Sequence, residues 1–197
     1  MLSRPKTKRQ YGIAVLVGLL ALIFLSMVIL PLSSYKLFYV NHTHSAPIGI
    51  YMHIPSRHLS YGDYVLASLP QDVETSEGLV HKGYFIIKKV RGMPGDTYIV
   101  ADNQLFIADY TAPIFTVKGY PITRTSHLPQ LKNGKYIVPN NTYLLLNAPE
   151  ESLDSRYLGP VSTDNIHGRL INIINYDAIN KWLLAHFLYF LTENSTE

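Results

Sequence analysis

From Tyr11 to Leu32 the chain reads YGIAVLVGLLALIFLSMVILPL, without one charged side chain. At about 1.5 Å rise per residue, a helix over this run crosses a hydrocarbon core of roughly 30 Å. The sequence therefore predicts a single transmembrane helix over residues 11–32. A cleaved signal peptide would have a shorter apolar region, about 7 to 15 residues, and would end at an A-x-A-like site, which is not evident here. Arg4, Lys6, Lys8 and Arg9 precede the run. By the positive-inside rule they keep residues 1–10 as a cytoplasmic tail and send residues 33–177 to the far side of the bilayer.

The formal charge of +3 is partly made in that basic tail, so the remainder is close to neutral and carries no basic stripe. Nucleic acid is excluded as a partner on that ground. There are no cysteines, which removes thiol catalysis, thiolate metal sites and disulfides. Fifteen tyrosines, many beside Val, Ile or Leu, favour strands. Short apolar runs separated by turn residues predict a mostly-β body. The expected strands are Ile48–Ile54, Asp63–Leu69, Tyr84–Val90, Thr97–Val100, Gln104–Ala108, Ile114–Val117, Tyr136–Val138, Thr142–Leu146 and Gly168–Ile174. Turns are expected at Gly62, at Pro94-Gly95-Asp96, at Asn133-Gly134 and at Asn140-Asn141. Gln71–Gly78 and Thr111–Leu131 read as longer loops. Residues 178–197 read as a C-terminal helix and tail. Their apolar run Trp182–Leu191 is too short to span a bilayer, which predicts a helix packed on the domain, with an interfacial helix touching lipid as the alternative.

Three clusters carry chemistry. In Asn41-His42-Thr43-His44-Ser45-Ala46-Pro47-Ile48-Gly49 a serine stands before x-Pro-x-Gly, so its hydroxyl is presented by a rigid turn. In Tyr84-Phe85-Ile86-Ile87-Lys88-Lys89-Val90-Arg91-Gly92-Met93-Pro94-Gly95-Asp96 a lysine pair ends an apolar strand. Burial there disfavours the ammonium, and a neutral amine can act as a general base. Alternation puts Lys88 and Lys89 on opposite faces, so only one can point at Ser45. In Ser152-Leu153-Asp154-Ser155-Arg156 the acid and the arginine read as an ion pair bracing a loop.

Taken together, these segments resemble the type I signal peptidase superfamily. Its lysine box ends in Gly-x-Pro-Gly-Asp, like Gly92–Asp96, and its Ser-x-Asp-Ser-Arg box is similar to Ser152–Arg156. Gly62-Asp63 looks like its intervening strand, and the order of the boxes is the same. The resemblance implies a coiled antiparallel β-sheet domain behind one N-terminal transmembrane helix, at a bacterial inner membrane, with the catalytic domain periplasmic. It implies Ser45 as nucleophile and Lys88 as general base, with Lys89 the alternative. The Ser45 N–H and the Thr43 hydroxyl would form the oxyanion hole. Ser152 would orient the base, Asp154, Ser155 and Arg156 would brace it, and Pro47, Ile48 and Ile86 would contact substrate. No cofactor or metal is implied. The form Asn-x-Thr-x-Ser-x-Pro-x-Gly resembles the TraF branch, whose members process or cyclise conjugative pilins. A membrane-bound pilin or preprotein is then the expected substrate, and conjugation or type IV secretion components are expected neighbours.

Three other readings remain open: a general leader peptidase, a non-catalytic scaffold subunit of a secretion apparatus, and a zinc site from His42, His44 and His53. The last lacks the ligand spacing of a zinc motif. A Ser-His pair using His44 is disfavoured, since adjacent residues of an extended chain face opposite ways.

Overall fold

The computed structural model describes residues 8–29, 36–123, 128, 131–150 and 152–193. In the N-terminal helix side chains are described from Tyr11 to Ala21, and in the C-terminal one as far as His186. Contacts divide the chain into two units, residues 1–37 and residues 38–197.

The first unit contains helix α1, Lys8–Ile29. Part of the expected membrane span, residues 30–32, lies outside the described residues, as do residues 1–7 of the basic tail. Among the described residues no helix is long and apolar enough to cross a membrane. The described side chains of α1 are exposed throughout.

The second unit is mostly β, as the tyrosine-rich alternation implies. A seven-stranded antiparallel sheet carries β1 (Phe38–Asn41), β2 (Gly49–Ile54), β13 (Ile166–Asn175), β3 (Tyr64–Ser68), β6 (Phe85–Gly92), β11 (Thr142–Leu145) and β12 (Val161–Ser162), in that spatial order. A four-stranded antiparallel sheet runs β10 (Gly134–Ile137), β7 (Thr97–Ala101), β8 (Gln104–Ala108), β9 (Val117–Pro121). The larger core cluster lies between β7, β8, β9 and the far end of β11, with Tyr98, Val100, Leu105, Ile107, Tyr120 and Leu144 buried in it. A second cluster, Val65, Ala67, Val90, Leu145 and Val161, sits beneath β3, β6 and β11. Burial of side chains of this size stabilises by about 1.5–3 kcal/mol each before conformational entropy is counted.

Several expectations are corrected. The strand expected at Ile114–Val117 forms instead at Val117–Pro121. Ile114 and Phe115 are exposed, whereas Tyr120 and Ile122 alternate into the core. Their burial outweighs the turn character of Gly119 and Pro121, and Pro121 is tolerated at the end of an edge strand. The supposed loop Gln71–Gly78 holds most of a small hairpin, β4 (Val73–Thr75) with β5 (Gly78–Val80), anchored by buried Val73. Asp102 and Asn103 close the β7–β8 hairpin with φ of 49° and 57°, the geometry of a two-residue turn that Asp and Asn tolerate. The C-terminal helix α3, Tyr176–Glu193, does not bury its described residues. Ile179, Trp182, Leu183 and Leu184 are all exposed, so the expected packing on the domain is not found there. Strand β13 runs directly into the first turn of α3, where the Tyr176 N–H donates to the Ile48 carbonyl.

Candidate active site

Ser45 sits in the loop that joins β1 to β2. The two strands close at the pair Asn41–Gly49, so residues 42–48 form the hairpin's connection. Buried Asn41 shapes it from inside. Its side-chain nitrogen donates to the carbonyls of Thr43 (2.9 Å), Ala46 (2.9 Å) and Pro47 (3.1 Å). Its oxygen accepts from the Thr43 N–H (3.2 Å) and hydroxyl (2.9 Å). The Tyr51 hydroxyl adds a bond to the Pro47 carbonyl at 2.8 Å. Gly49 has φ of 155°, and a Cβ there would run into the Ile174 carbonyl, which accounts for the glycine that ends the serine segment. Thr43 Oγ1 and Ser45 Oγ lie 3.1 Å apart. Because the Thr43 proton goes to Asn41, the Ser45 hydroxyl is the donor in that bond. Thr43 must release Asn41 before it can donate to an oxyanion.

The alternation of β6 separates the two lysines. Lys88, Val90 and Gly92 are buried, while Lys89 and Arg91 take the other face. Lys88 is 3% exposed and donates to Ser152 Oγ at 2.7 Å. Burial is the main cause that lowers its pKa from 10.5 to about 8, Asp154 pulls it back up, and Arg156 pushes it down. Lys89 is half-buried, with its Nζ 4.4 Å from the centroid of the Tyr64 ring. Its pKa is lowered as well, first by burial and then by Arg91 and Lys118.

The third cluster folds into the short helix α2, Ser155–Leu158, with Asp154 as its N-cap. The carboxylate and guanidinium of Asp154 and Arg156 meet as a fork. Nε donates to one carboxylate oxygen and Nη2 to the other, each at 2.9 Å, with both side chains fully buried. The remaining Arg156 donors reach the carbonyls of Pro121, Glu150 and Asn147. The Ser155 hydroxyl accepts from the Leu145 N–H at 2.8 Å. Asn147 ties this assembly to the base strand. Its N–H donates to Asp154, its side-chain oxygen accepts from the Lys89 N–H, and its side-chain nitrogen donates to the Ile87 carbonyl.

Thr43 is thus joined to Ser45, Lys88 to Ser152, and Asp154 to Arg156. No hydrogen bond joins Ser45 to Lys88 among the described residues. A groove of about 300 Å³ exposes Ser45, with Ala46, Pro47, Tyr64, Lys89 and Arg91 among its walls. Of the three residues expected to contact substrate, Pro47 is among its walls and Ile48 and Ile86 are not. Ile86 packs beside the second core cluster, two residues before Lys88 on the same strand face. His42 and His44 are exposed, whereas His53 is buried and bonded through Nε2 to the His167 carbonyl, so the three do not converge. Sequence reasoning assigned no role to Asn41 or Asn147. The signal for Asn41 was its place two residues before Thr43 and four before Ser45.

The profile of the signal peptidase, peptidase S26, family matches residues 9–174. The chain belongs to that family. Among solved structures, a signal peptidase I from Enterococcus faecalis V583 is similar at 19% identity, covering 58% of this chain and 98% of that one, with a TM-score of 0.34. No curated protein matches the chain. Peptidase S26 enzymes are serine peptidases that work with a serine and a lysine. Lys88 on Ser152 and the loop-borne Ser45 are the parts such chemistry needs: a presented hydroxyl, an amine whose pKa burial lowers to about 8, and a hydroxyl that holds it.

Proposed function

We propose that this member of the signal peptidase family is a membrane-anchored endopeptidase in which Ser45 is the nucleophile and Lys88 the general base. The observation that carries the reading is the buried Lys88 amine, held by Ser152 and with its pKa lowered to about 8. A neutral amine has one lone pair. With one N–H donated to Ser152, that lone pair is free to take the proton of Ser45 once the Ser45 hydroxyl turns away from Thr43. Catalytic hydrogen bonds of this kind commonly tighten only in the substrate complex. The Ser45 oxygen then attacks the peptide carbonyl, and the oxyanion is met by the Ser45 N–H and the Thr43 hydroxyl. Lys88 returns the proton to the leaving amine, which departs and leaves an ester on Ser45.

The substrate of this reading is an exported preprotein bound as an extended strand, with small side chains beside Ser45. The Ser45-Ala46-Pro47-Ile48-Gly49 form favours a pilin-type substrate, while the match to the signal peptidase family favours general preprotein cleavage as the second reading. Water attacking the ester gives a linear product. The substrate's own amine, if tethered nearby, gives a ring. Mass spectrometry of substrate matured by wild type and by Ser45→Ala tests both steps. A product at the linear mass is expected for hydrolysis and one water lighter for cyclisation, and the product is expected to vanish in Ser45→Ala. An unchanged product profile in that variant removes Ser45 from the mechanism.

For the anchor, the reading takes residues 11–32 as the membrane span, with the basic tail in the cytoplasm and the body in the periplasm. Protease added to intact spheroplasts is expected to digest the body. Protection of the body would overturn this topology.

A further inference from the structure

Strand β6 sends Lys88 inward for the proposed chemistry, and the same alternation sends Lys89 and Arg91 into the groove that exposes Ser45. Neither is needed for proton transfer from Ser45. Two cations beside a reaction centre are costly unless something answers them, because each is partly desolvated and each repels the other. Lys89 is half-buried, and among the described residues no carboxylate lies against it. Its contact is the face of Tyr64. Arg91 is 14% exposed, reaches Asp109 at 3.5 Å and Thr111 at 3.0 Å, and leaves its Nε buried without a partner. Asp109 is already engaged, since it also accepts from the N–H and the hydroxyl of Thr111. Lys118 adds a third positive charge that acts on Lys89, and the pull of Asp109 on Lys89 ranks below the push of Arg91 and of Lys118. Among the groove's walls the one carboxylate is Asp177, in the exposed first turn of α3, and it makes no ion pair with either cation.

We propose that Lys89 and Arg91 form a cationic subsite beside Ser45 that receives a carboxylate of the substrate, either an Asp or Glu side chain close to the scissile bond or the chain's terminal carboxylate. The proposal rests on the reading of Ser45 as a peptidase nucleophile. A carboxylate in this position completes the partial neutralisation that Asp109 begins. The pair is partly buried, so it is worth more than an ion pair on open surface. Small residues at the cleavage site would then set where the bond is cut, and the carboxylate would fix the register of the substrate strand.

The test uses the full-length enzyme in detergent and internally quenched peptides built on an Ala-x-Ala core. One Glu is walked through the three positions on either side of the core, each peptide is matched by its Gln counterpart, and a further pair differs in having a free or an amidated C-terminus. At one position wild type is expected to prefer Glu over Gln, or the free terminus over the amide, by about tenfold in kcat/KM, mainly through KM. The favoured pair identifies the source of the carboxylate. Raising salt should shrink the preference, since part of the groove is open to solvent. Lys89→Gln should bring the ratio close to one, Lys89→Glu should reverse it in favour of the uncharged member of the pair, and Lys135→Gln on β10 should leave the ratio as it is. Equal cleavage of every matched pair by wild type, or a ratio that survives in Lys89→Gln, overturns the subsite alone. Failure of wild type to cleave any peptide, together with no acylation of Ser45 by a serine-directed probe, overturns the peptidase reading and the subsite with it.

Discussion

Replacing Lys88 by methionine is expected to lower kcat/KM for peptide cleavage by at least about 10⁴-fold, the scale seen when one member of a nucleophile–base unit is removed. The same change is expected to make the body more stable. Lys88 is 3% exposed, and its pKa lies at about 8 against an ordinary 10.5. Below pH 8 the amine is charged in both the folded and the unfolded chain, so the folded state bears the full desolvation cost. Between about pH 8 and 10.5 the folded chain releases its proton while the unfolded chain keeps it, and stability rises with pH across that window. At about 1.4 kcal/mol per pKa unit the cost near neutrality is on the order of 3 kcal/mol. Part of the gain in Lys88→Met is lost because Ser152 gives up its partner, which leaves an expected net of about 1–2 kcal/mol in urea unfolding. Activity of the wild type should climb with pH through about 8 and then level, since the amine must be neutral to accept the Ser45 proton. Lys89→Ala should keep most of the turnover and a similar profile. Full loss in Lys89→Ala with turnover kept in Lys88→Met would show that the other lysine is the base, and a flat profile from pH 6 to 9 would remove a lysine base altogether.

The sequence could show the strands because burial repeats every second residue along them, and most of the observed strands fall within a few residues of the alternating runs. It could show the three chemical segments because each keeps its meaning within a dozen neighbours. What it could not show depends on pairing across long separations. Which lysine turns inward is decided by the register of Lys88 opposite Val65, a relation no local pattern contains. The role of Asn147 rests on bonds to Ile87 and Lys89, some sixty positions away, and an asparagine at a strand end before Ala-Pro reads otherwise as an ordinary turn residue. Asn41 is a nearer case. Its five hydrogen bonds all fall within six positions, but they need the loop already folded, and the same residue in a different turn would cap a different carbonyl. The exposure of α3 is hidden for another reason: an apolar helix looks alike in sequence whether it covers a core or leaves it.

Arg156→Met is expected to be the most damaging change to the fold itself. The guanidinium is fully buried, and it serves both Asp154 oxygens and the carbonyls of Pro121, Glu150 and Asn147. Methionine fills much of the volume but returns none of these bonds. The Asp154 carboxylate would stay buried with only the N–H groups of Arg156 and Asn147 to answer it. Breaking a buried pair from one side in this way costs about 3–5 kcal/mol, a large share of the roughly 5–15 kcal/mol that holds a domain together. The double variant Asp154→Leu/Arg156→Met removes the stranded charge and should recover part of the loss. It will not recover all of it, since the cap of α2 and three carbonyl partners are gone as well. Lys88 gives a second readout in whichever variant stays folded. Arg156 pushes its pKa down and Asp154 pulls it up, so the rise of activity with pH should move to higher pH in Arg156→Met and shift back towards the wild-type position in the double variant. Stability of Arg156→Met within about 1 kcal/mol of wild type would mean that the fork is not holding the loop, because a buried carboxylate cannot lose its cation so cheaply while it remains charged.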